Sequence, residues 1–499
     1  MMMKLHAVWV VALIGCGSEE MFGVELEPNQ HPIDADASVT LRTEMSTFGL
    51  VTAVGDLDGD GLTDIFVRPF MLPNGFGDDR IYIVYGGQEL GPDIDLDFDQ
   101  LPQIINVGAF GIIDSTVPLG DIDGDGLADV TFASGVEYLL YGSRIRISGQ
   151  VNAADVAVQF TTSSGGLAVG SLGDIDGDGL ADIAMIFESV GGPTPPPSVA
   201  HVFYGRAERF AGSVDIATAD AHLELPVLPR TWRASMVGIG DIDGDGCSDM
   251  VVRVDGDADN DQPHPVDERI IMGSRTRLPV TATSNSVAAT QIVGDGLAVE
   301  VVGTFASSTT SAVATPLGDL DGDGFADFAL FDSVPFGQHI FYGRAHGFGA
   351  QLDVGSADAV LVATNDVLNP VTQVATADVT GDGVADIVSS DAGFLDGDGA
   401  IFVLPGTGAR LTGVVDPSQA PVVYIGSRQR LVGCAEAMDV YYPDCIGHEH
   451  IGTILGLGDV RGDGRPAIIT PAPWYNFADT ASDGRYGFLS RAYVVPYPR

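Results

Sequence analysis

The sequence predicts an all-β fold: a seven-bladed β-propeller of four-stranded blades, its last blade completed by a strand from the N-terminus. Three observations predict it. A nine-residue phrase built on alternating aspartate and glycine occurs seven times. Each copy lies between short apolar strands bounded by glycine turns. The final unit stops one strand short, and a matching strand stands near the start of the chain.

The copies are DLDGDGLTD at 56–64, DIDGDGLAD at 121–129 and 174–182, DIDGDGCSD at 241–249, DLDGDGFAD at 319–327, DVTGDGVAD at 378–386 and DVRGDGRPA at 459–467. Their starts are about 67 residues apart on average, the length of a supersecondary unit rather than of a short coil repeat. A small apolar strand precedes each loop, as in LVTAVGD or TILGLGD. An alternating strand follows it, as in DIFVRPF or DMVVRVDG. A third strand ends on a tight turn: YIVYGG, YLLYGS, HVFYGR, IIMGS, IFYGR and FVLPG. The fourth is read as IDLDF, AVQFTT, HLELPV, AVEVVG, VLVAT and VVYIG. Four strands in each of seven units make a propeller.

Ring closure follows from the two ends. The chain finishes on a third-type strand, AYVVPYP, so the seventh blade lacks its fourth. ADASVTLRT, Ala35 to Thr43, matches the fourth-strand segments ADAHLELP and ADAVLVAT. Pairing it with the last blade removes an unpaired sheet edge.

Composition narrows the function. The chain has 499 residues, a net charge of −46 and 45 % apolar residues, enough for a substantial core. Lys4 is its only lysine, so no amine remains beyond the leader for Schiff-base chemistry. The acidic excess repels phosphate and the arginines form no stripe, which argues against nucleic acid. No Gly-x-Ser-x-Gly, His-Glu-x-x-His or phosphate-loop motif is present.

The aspartates carry the chemistry. Positions one, three, five and nine are Asp56, Asp58, Asp60 and Asp64 in the first loop; Asp121, Asp123, Asp125 and Asp129 in the second; Asp174, Asp176, Asp178 and Asp182 in the third. They are Asp241, Asp243, Asp245 and Asp249 in the fourth and Asp319, Asp321, Asp323 and Asp327 in the fifth. Position seven offers a backbone carbonyl, from Leu62, Leu127, Leu180, Cys247 and Phe325 in turn. Two like charges about 4 Å apart repel by roughly 1 kcal/mol in water and about 4 in a partly screened site. Clustered hard oxygens select Ca²⁺, whereas Mg²⁺ gives up its water reluctantly. The sixth loop, Asp378, Thr380, Asp382, Val384 and Asp386, has a neutral third ligand and is expected to bind more weakly. In the seventh, Arg461 and Ala467 replace two ligands, and Arg461 is expected to offer its charge to Asp459 and Asp463. Arg461-Gly462-Asp463 also spells an integrin-binding tripeptide, read here as a degenerate loop. Cys247 is read as a small buried hydrophobe at an apolar position.

In their strand–loop–strand context the units resemble FG-GAP repeats, the blades of the integrin α head. FGLVTAVGDLDGDGLTDIFV, Phe48 to Val67, is the closest copy, and IITPAP echoes the repeat's closing Gly-Ala-Pro. Most copies lack both flanking elements, so the aspartate phrase carries the resemblance. It implies calcium loops on one side of the ring and ligands on the other, the side formed by second-to-third and fourth-to-first connections.

The longest of those connections, 427–450 and 473–488, concentrate Tyr441, Tyr442, Trp474, Tyr475, Phe477 and Tyr486. Arg230, Trp232 and Arg233 form a further aromatic–basic cluster. Exposed aromatic rings stack on sugars and anchor protein contacts, but they also pin long loops to a scaffold. Cys434 and Cys445 are candidates for a disulfide in the first of these connections, which export permits. His448 and His450 make only a partial metal site, and 255–262 is an acidic turn.

The N-terminus reads as a signal peptide: Lys4, then an apolar run from Ala7 to Ile14 too short to span a bilayer. Leu13-Ile14-Gly15-Cys16 resembles the lipobox of bacterial lipoproteins, which implies lipidation of Cys16 after removal of residues 1–15. Gly17 in place of Asp implies passage to the outer membrane or cell surface. Residues 16–34 are read as a tether and 35–499 as the propeller. The expectation is a monomeric, calcium-stabilised, lipid-anchored binding or adhesion module for protein or polysaccharide. A polysaccharide lyase or glycosidase on the same scaffold is the alternative, and a purely structural envelope component a third.

Overall fold

The structure, a computed structural model, describes residues 28–498 apart from 34–36, 44–46, 72–79, 88–89, 97–100, 106–115, 134–135, 163–166, 188–196, 229–230, 257–264, 288–289, 295–313, 334–335, 363–372, 393, 395–397, 427, 431–445, 449–454, 473–476, 479–486 and 489. Seven sheets form the blades of a β-propeller. Blade one shows the pattern: Thr47–Gly55, Asp64–Met71, Arg80–Val84 and Gln103–Ile105 run antiparallel from the axis outward. The first two strands form the hairpin whose turn is the aspartate phrase.

Each blade has five strands rather than four. The fifth is a three-residue strand lent by the next blade, parallel to the fourth: Gln150–Asn152 lies on Gln103–Ile105, and Ser213–Asp215 on Val158–Thr161. The same parallel pairing recurs around the ring. The lent strand comes from the connection between a blade's own third and fourth strands, so it covers an edge that would otherwise offer free N–H and C=O groups.

This changes two strand assignments. In IDLDF, Asp93–Asp95 is the fifth strand of blade seven, and Gln103–Ile105 takes the fourth place in blade one. In blade four the fourth strand is Thr290–Val293, while AVEVVG lies outside the described residues. Both misreadings favoured the more regularly alternating run over a shorter one.

The ring closes as expected, and more firmly. Val39–Thr43 runs antiparallel to Ser490–Val495 as the fourth strand of blade seven. Upstream, Gln30–Pro32, within the stretch read as tether, pairs in parallel with Val422–Ile425 of blade six, and Ile33 is fully buried. The N-terminal segment therefore joins two blades.

The core lies between blades. Alternate residues of each sheet face opposite neighbours, so Phe66, Ile81 and Ile83 of blade one pack on Val130, Phe132 and Leu140 of blade two. The rings of Phe66 and Phe132 meet edge-on at 6.4 Å. Each such buried side chain contributes about 1.5–3 kcal/mol. Middle strands are buried on both faces, as all of Asp129–Ala133 is. No helix among the described residues is long and apolar enough to cross a membrane.

Candidate metal centres

Every aspartate loop closes one inner hairpin, and local backbone chemistry shapes it. In the first, the Asp56 carboxylate accepts from the N–H groups of Gly59, Asp60 and Gly61 at 2.7, 3.1 and 2.8 Å. Asp58 accepts from Asp60 N and Asp60 from Leu62 N. Gly59 and Gly61 have φ of 80° and 86°, the left-handed region that glycine adopts without a Cβ penalty. Space also excludes a side chain at Gly59, where a Cβ would stand 2.9 Å from Leu127 of the next loop. Around Gly61 there is room, so only conformation requires glycine there.

Asp64 joins the loop to its blade. Its Oδ2 accepts from Leu57 N at 2.9 Å and its Oδ1 from Gly86 N at 2.8 Å, on the turn after the third strand. A Cβ on Gly86 would lie 2.8 Å from the Leu62 Cβ and the Thr63 carbonyl, which explains the recurring Tyr-Gly at that turn. The same pair of bonds holds Asp129, Asp182, Asp249 and Asp327.

The loops also hold one another along one rim. Ala128 N donates to Asp56 O at 2.8 Å, Ala181 N to Asp121 O at 2.9 Å and Ala326 N to Asp241 O at 2.8 Å. Thr63 N donates to Asp459 O at 2.9 Å and so links loop one to loop seven. The position-seven side chains of Leu127, Leu180, Cys247 and Phe325 lie over the preceding loop's first glycine. Cys247 does so over Gly177 and is a buried free thiol, with burial pushing its pKa up to about 11.

Five loops bring the carboxylates of positions one, three and nine together: Asp56, Asp58 and Asp64; Asp121, Asp123 and Asp129; Asp174, Asp176 and Asp182; Asp241, Asp243 and Asp249; Asp319, Asp321 and Asp327. In each, one oxygen per residue lies within 4.8 Å of the others. Burial, with their aspartate neighbours adding to it, pushes Asp64, Asp129, Asp182, Asp249 and Asp327 up to about 7 despite the two N–H bonds each accepts. A convergent all-oxygen set of this kind, its position-nine carboxylate buried, fits a hard divalent cation. Position five stands outside these triads. In loop six, Thr380 Oγ1 is 3.5 Å from both Asp378 and Asp386.

Comparison with known proteins is consistent with this architecture. The chain is 28 % identical over 203 residues to the phosphatidylinositol-glycan-specific phospholipase D of Rattus norvegicus. It is 26 % identical over 193 residues to the Mus musculus protein of the same name. Each match takes in 36 % of this chain and spans 23 % of the relative. No family model matches the sequence.

Sequence reasoning missed a set of arginines. Arg146 of blade two donates Nε to Asp58 and Nη2 to Asp60 of loop one, the latter at 2.8 Å. Arg209 does the same to Asp123 and Asp125, Arg277 to Asp176 and Asp178, and Arg410 to Asp321 and Asp323. Each guanidinium lies over a tyrosine of the blade it reaches, Tyr85, Tyr141, Tyr204 or Tyr342, with 4.4–4.9 Å from carbon to ring centroid. The signal was the spacing of each arginine five residues beyond its own blade's Tyr-Gly turn position, visible only once the turns are aligned.

Arg461, expected to face Asp459 and Asp463, donates instead to the carbonyls of Ser38 and Leu90 at 3.4 and 3.2 Å. Trp232 lies in the strand Thr231–Gly240, and Phe477 in the short strand Phe477–Ala478. His448 ends a two-stranded ribbon opposite Arg428. Cys16, Arg230, Cys434, Tyr441, Tyr442, Cys445, His450, Trp474, Tyr475 and Tyr486 lie outside the described residues.

Proposed function

We propose that this protein is a calcium-stabilised propeller, tethered by lipid at Cys16, that acts as a monomeric binding module for protein or polysaccharide. The observation that carries the metal part is the fivefold convergence of three carboxylates within 4.8 Å at equivalent hairpins. Positions one, three and nine would hold the ion. Bound there, it supplies positive charge that ties the two inner strands to the turn after the third, where Gly86 and its counterparts donate. Position five and the carbonyl of position seven complete the set by resemblance to FG-GAP loops. Loop six retains two of the three convergent carboxylates, and loop seven one.

The binding part rests on rigidity. Loops on a stiff scaffold commonly carry recognition, and the sequence concentrates Tyr441, Tyr442, Trp474, Tyr475 and Tyr486 in two long connections, with Trp232 in blade four. An enzyme remains the second reading, because the relatives bear an enzyme's name; the match spans only 23 % of each, too little to bring an activity with it.

Calorimetric titration with Ca²⁺ tests the metal reading, and failure to bind overturns it. Glycan arrays and pull-downs with and without chelator test the binding reading; saturable, chelator-sensitive capture supports it. Release of unsaturated or reducing sugar from a polysaccharide panel establishes the enzymatic alternative. Mass spectrometry of the N-terminal peptide, compared with Cys16→Ala, tests the lipid.

A further inference from the structure

We propose that the four inter-blade arginines grade the metal loops, so that the loop Asp241–Asp249 binds Ca²⁺ most tightly and the four arginine-bridged loops bind it less tightly. This rests on the reading of the loops as calcium sites.

The five complete loops share one backbone geometry. In loop four, Ile242 N donates to Asp249 at 2.9 Å, Gly244 N to Asp241 at 2.7 Å, Gly246 N to Asp241 at 2.8 Å and Gly273 N to Asp249 at 2.8 Å. The corresponding bonds of loop one are 2.9, 2.7, 2.8 and 2.8 Å. Loop four reaches this arrangement although, among the described residues, no arginine pairs with Asp243 or Asp245. The arginines are therefore not what shapes the carboxylates.

Their effect on a bound cation is then mainly charge. A guanidinium bridging positions three and five offsets one of their two negative charges and repels a second cation placed beside them. At the interface of blades four and five both members of the bridge are replaced. Met272 stands where the other blades have Tyr85, Tyr141, Tyr204 or Tyr342, and Gly347 stands at the arginine position, its Cα-side space facing the Met272 Cε. From blade five, His346 rather than an arginine stands near Asp243.

The two remaining interfaces follow the same rule. Blade one has Leu90 at the arginine position, and the loop it faces has Arg461 instead of an aspartate at position three; the Arg461 guanidinium bonds to the Leu90 carbonyl. Loop six has Thr380 at position three and Pro405 at the tyrosine position of its blade. An aspartate at position three thus accompanies an arginine from the next blade everywhere except in loop four. Loop four is the one complete loop without a guanidinium across positions three and five among the described residues, the Arg275 of its own blade standing at Gly246 and Cys247 instead.

The experiment is a calorimetric Ca²⁺ titration of the metal-stripped protein. One site should bind roughly tenfold more tightly than the other four complete loops, and Asp243→Asn should remove it. Arg410→Met should create a second tight site at loop five, lost again when Asp321→Asn is added, whereas Arg410→Lys should leave that loop weak. Five sites of equal affinity overturn the inference, as does a tight site that survives Asp243→Asn, while the metal reading stands. Weaker binding in Arg410→Met would show that the arginine helps the cation, and also overturns it. Should Arg410→Met fail to fold, Asp243→Asn and Arg410→Lys still decide. No binding to the wild type overturns the metal reading and this inference together.

Discussion

The Arg410 guanidinium of blade six lies 4.9 Å from the centre of the Tyr342 ring of blade five, and the neighbouring Leu411 N–H donates to the Tyr342 hydroxyl at 2.7 Å. The side chain and backbone of one connection thus hold the same tyrosine, while that arginine also bridges Asp321 and Asp323. Three other blade interfaces repeat the arrangement at Tyr85, Tyr141 and Tyr204. Tyr342→Phe leaves the Leu411 N–H without its acceptor and should cost about 1 kcal/mol in denaturant unfolding. A change within error would show that water replaces the hydroxyl without loss.

Removing divalent cations should lower the melting temperature by several degrees or more, and Ca²⁺ should restore it. Any ion that binds the folded state alone stabilises it by mass action, and each position-nine aspartate is a buried carboxylate in need of a counter-charge. Differential scanning calorimetry in chelator and in calcium measures the shift. Superimposable traces would contradict the metal reading.

Acid should weaken blade three. His201 and His222 are cross-strand partners with their Nδ1 atoms 2.9 Å apart. Burial, then the neighbouring His222, hold the His201 pKa below its ordinary value of 6.5. The unfolded chain therefore takes up the proton first, so stability is intact above about 6.5 and falls as the pH drops toward the folded-state value. In blade five the equivalent pair is His339 and Val360. His222→Val should move the His201 pKa upward in an NMR titration; an unmoved titration would remove His222 as a cause.

Ring closure should have two separable parts. Deleting residues through Pro32 uncovers Val422–Ile425 and should speed amide exchange there while the propeller still folds. Leu41→Ala, at a fully buried position in the closing strand, should cost about 2–5 kcal/mol and shift the unfolding midpoint of the whole ring. Equal exchange in the shortened chain would show that the parallel strand adds no protection.

Gly238→Ala should be severely destabilising, because its Cβ would meet the Leu172 carbonyl of the adjacent inner strand, and Gly170 meets Met236 in the same way. Neither carbonyl has a flexible end that gives way. An urea midpoint close to wild type would mean that the inner strands of blades three and four separate freely.

By itself the sequence determined the seven hairpins, the aspartate positions within them and the return of Val39–Thr43 to the last blade. Those features are written in contiguous residues, as alternation along a strand, as glycine at positive φ and as the match between Ala35–Thr43 and the fourth strands. Tertiary structure decided the fifth strands, which are three residues long, too short for local alternation to tell them from a blade's own fourth strand, as Asp93–Asp95 within IDLDF shows. It also decided the arginine bridges, whose partners are 84–101 residues apart in the chain. An arginine on a turn reads as a solvated charge until the next blade is stacked against it. Which carboxylates it meets is set by the packing of one blade on another, and that packing brings together residues no local pattern connects.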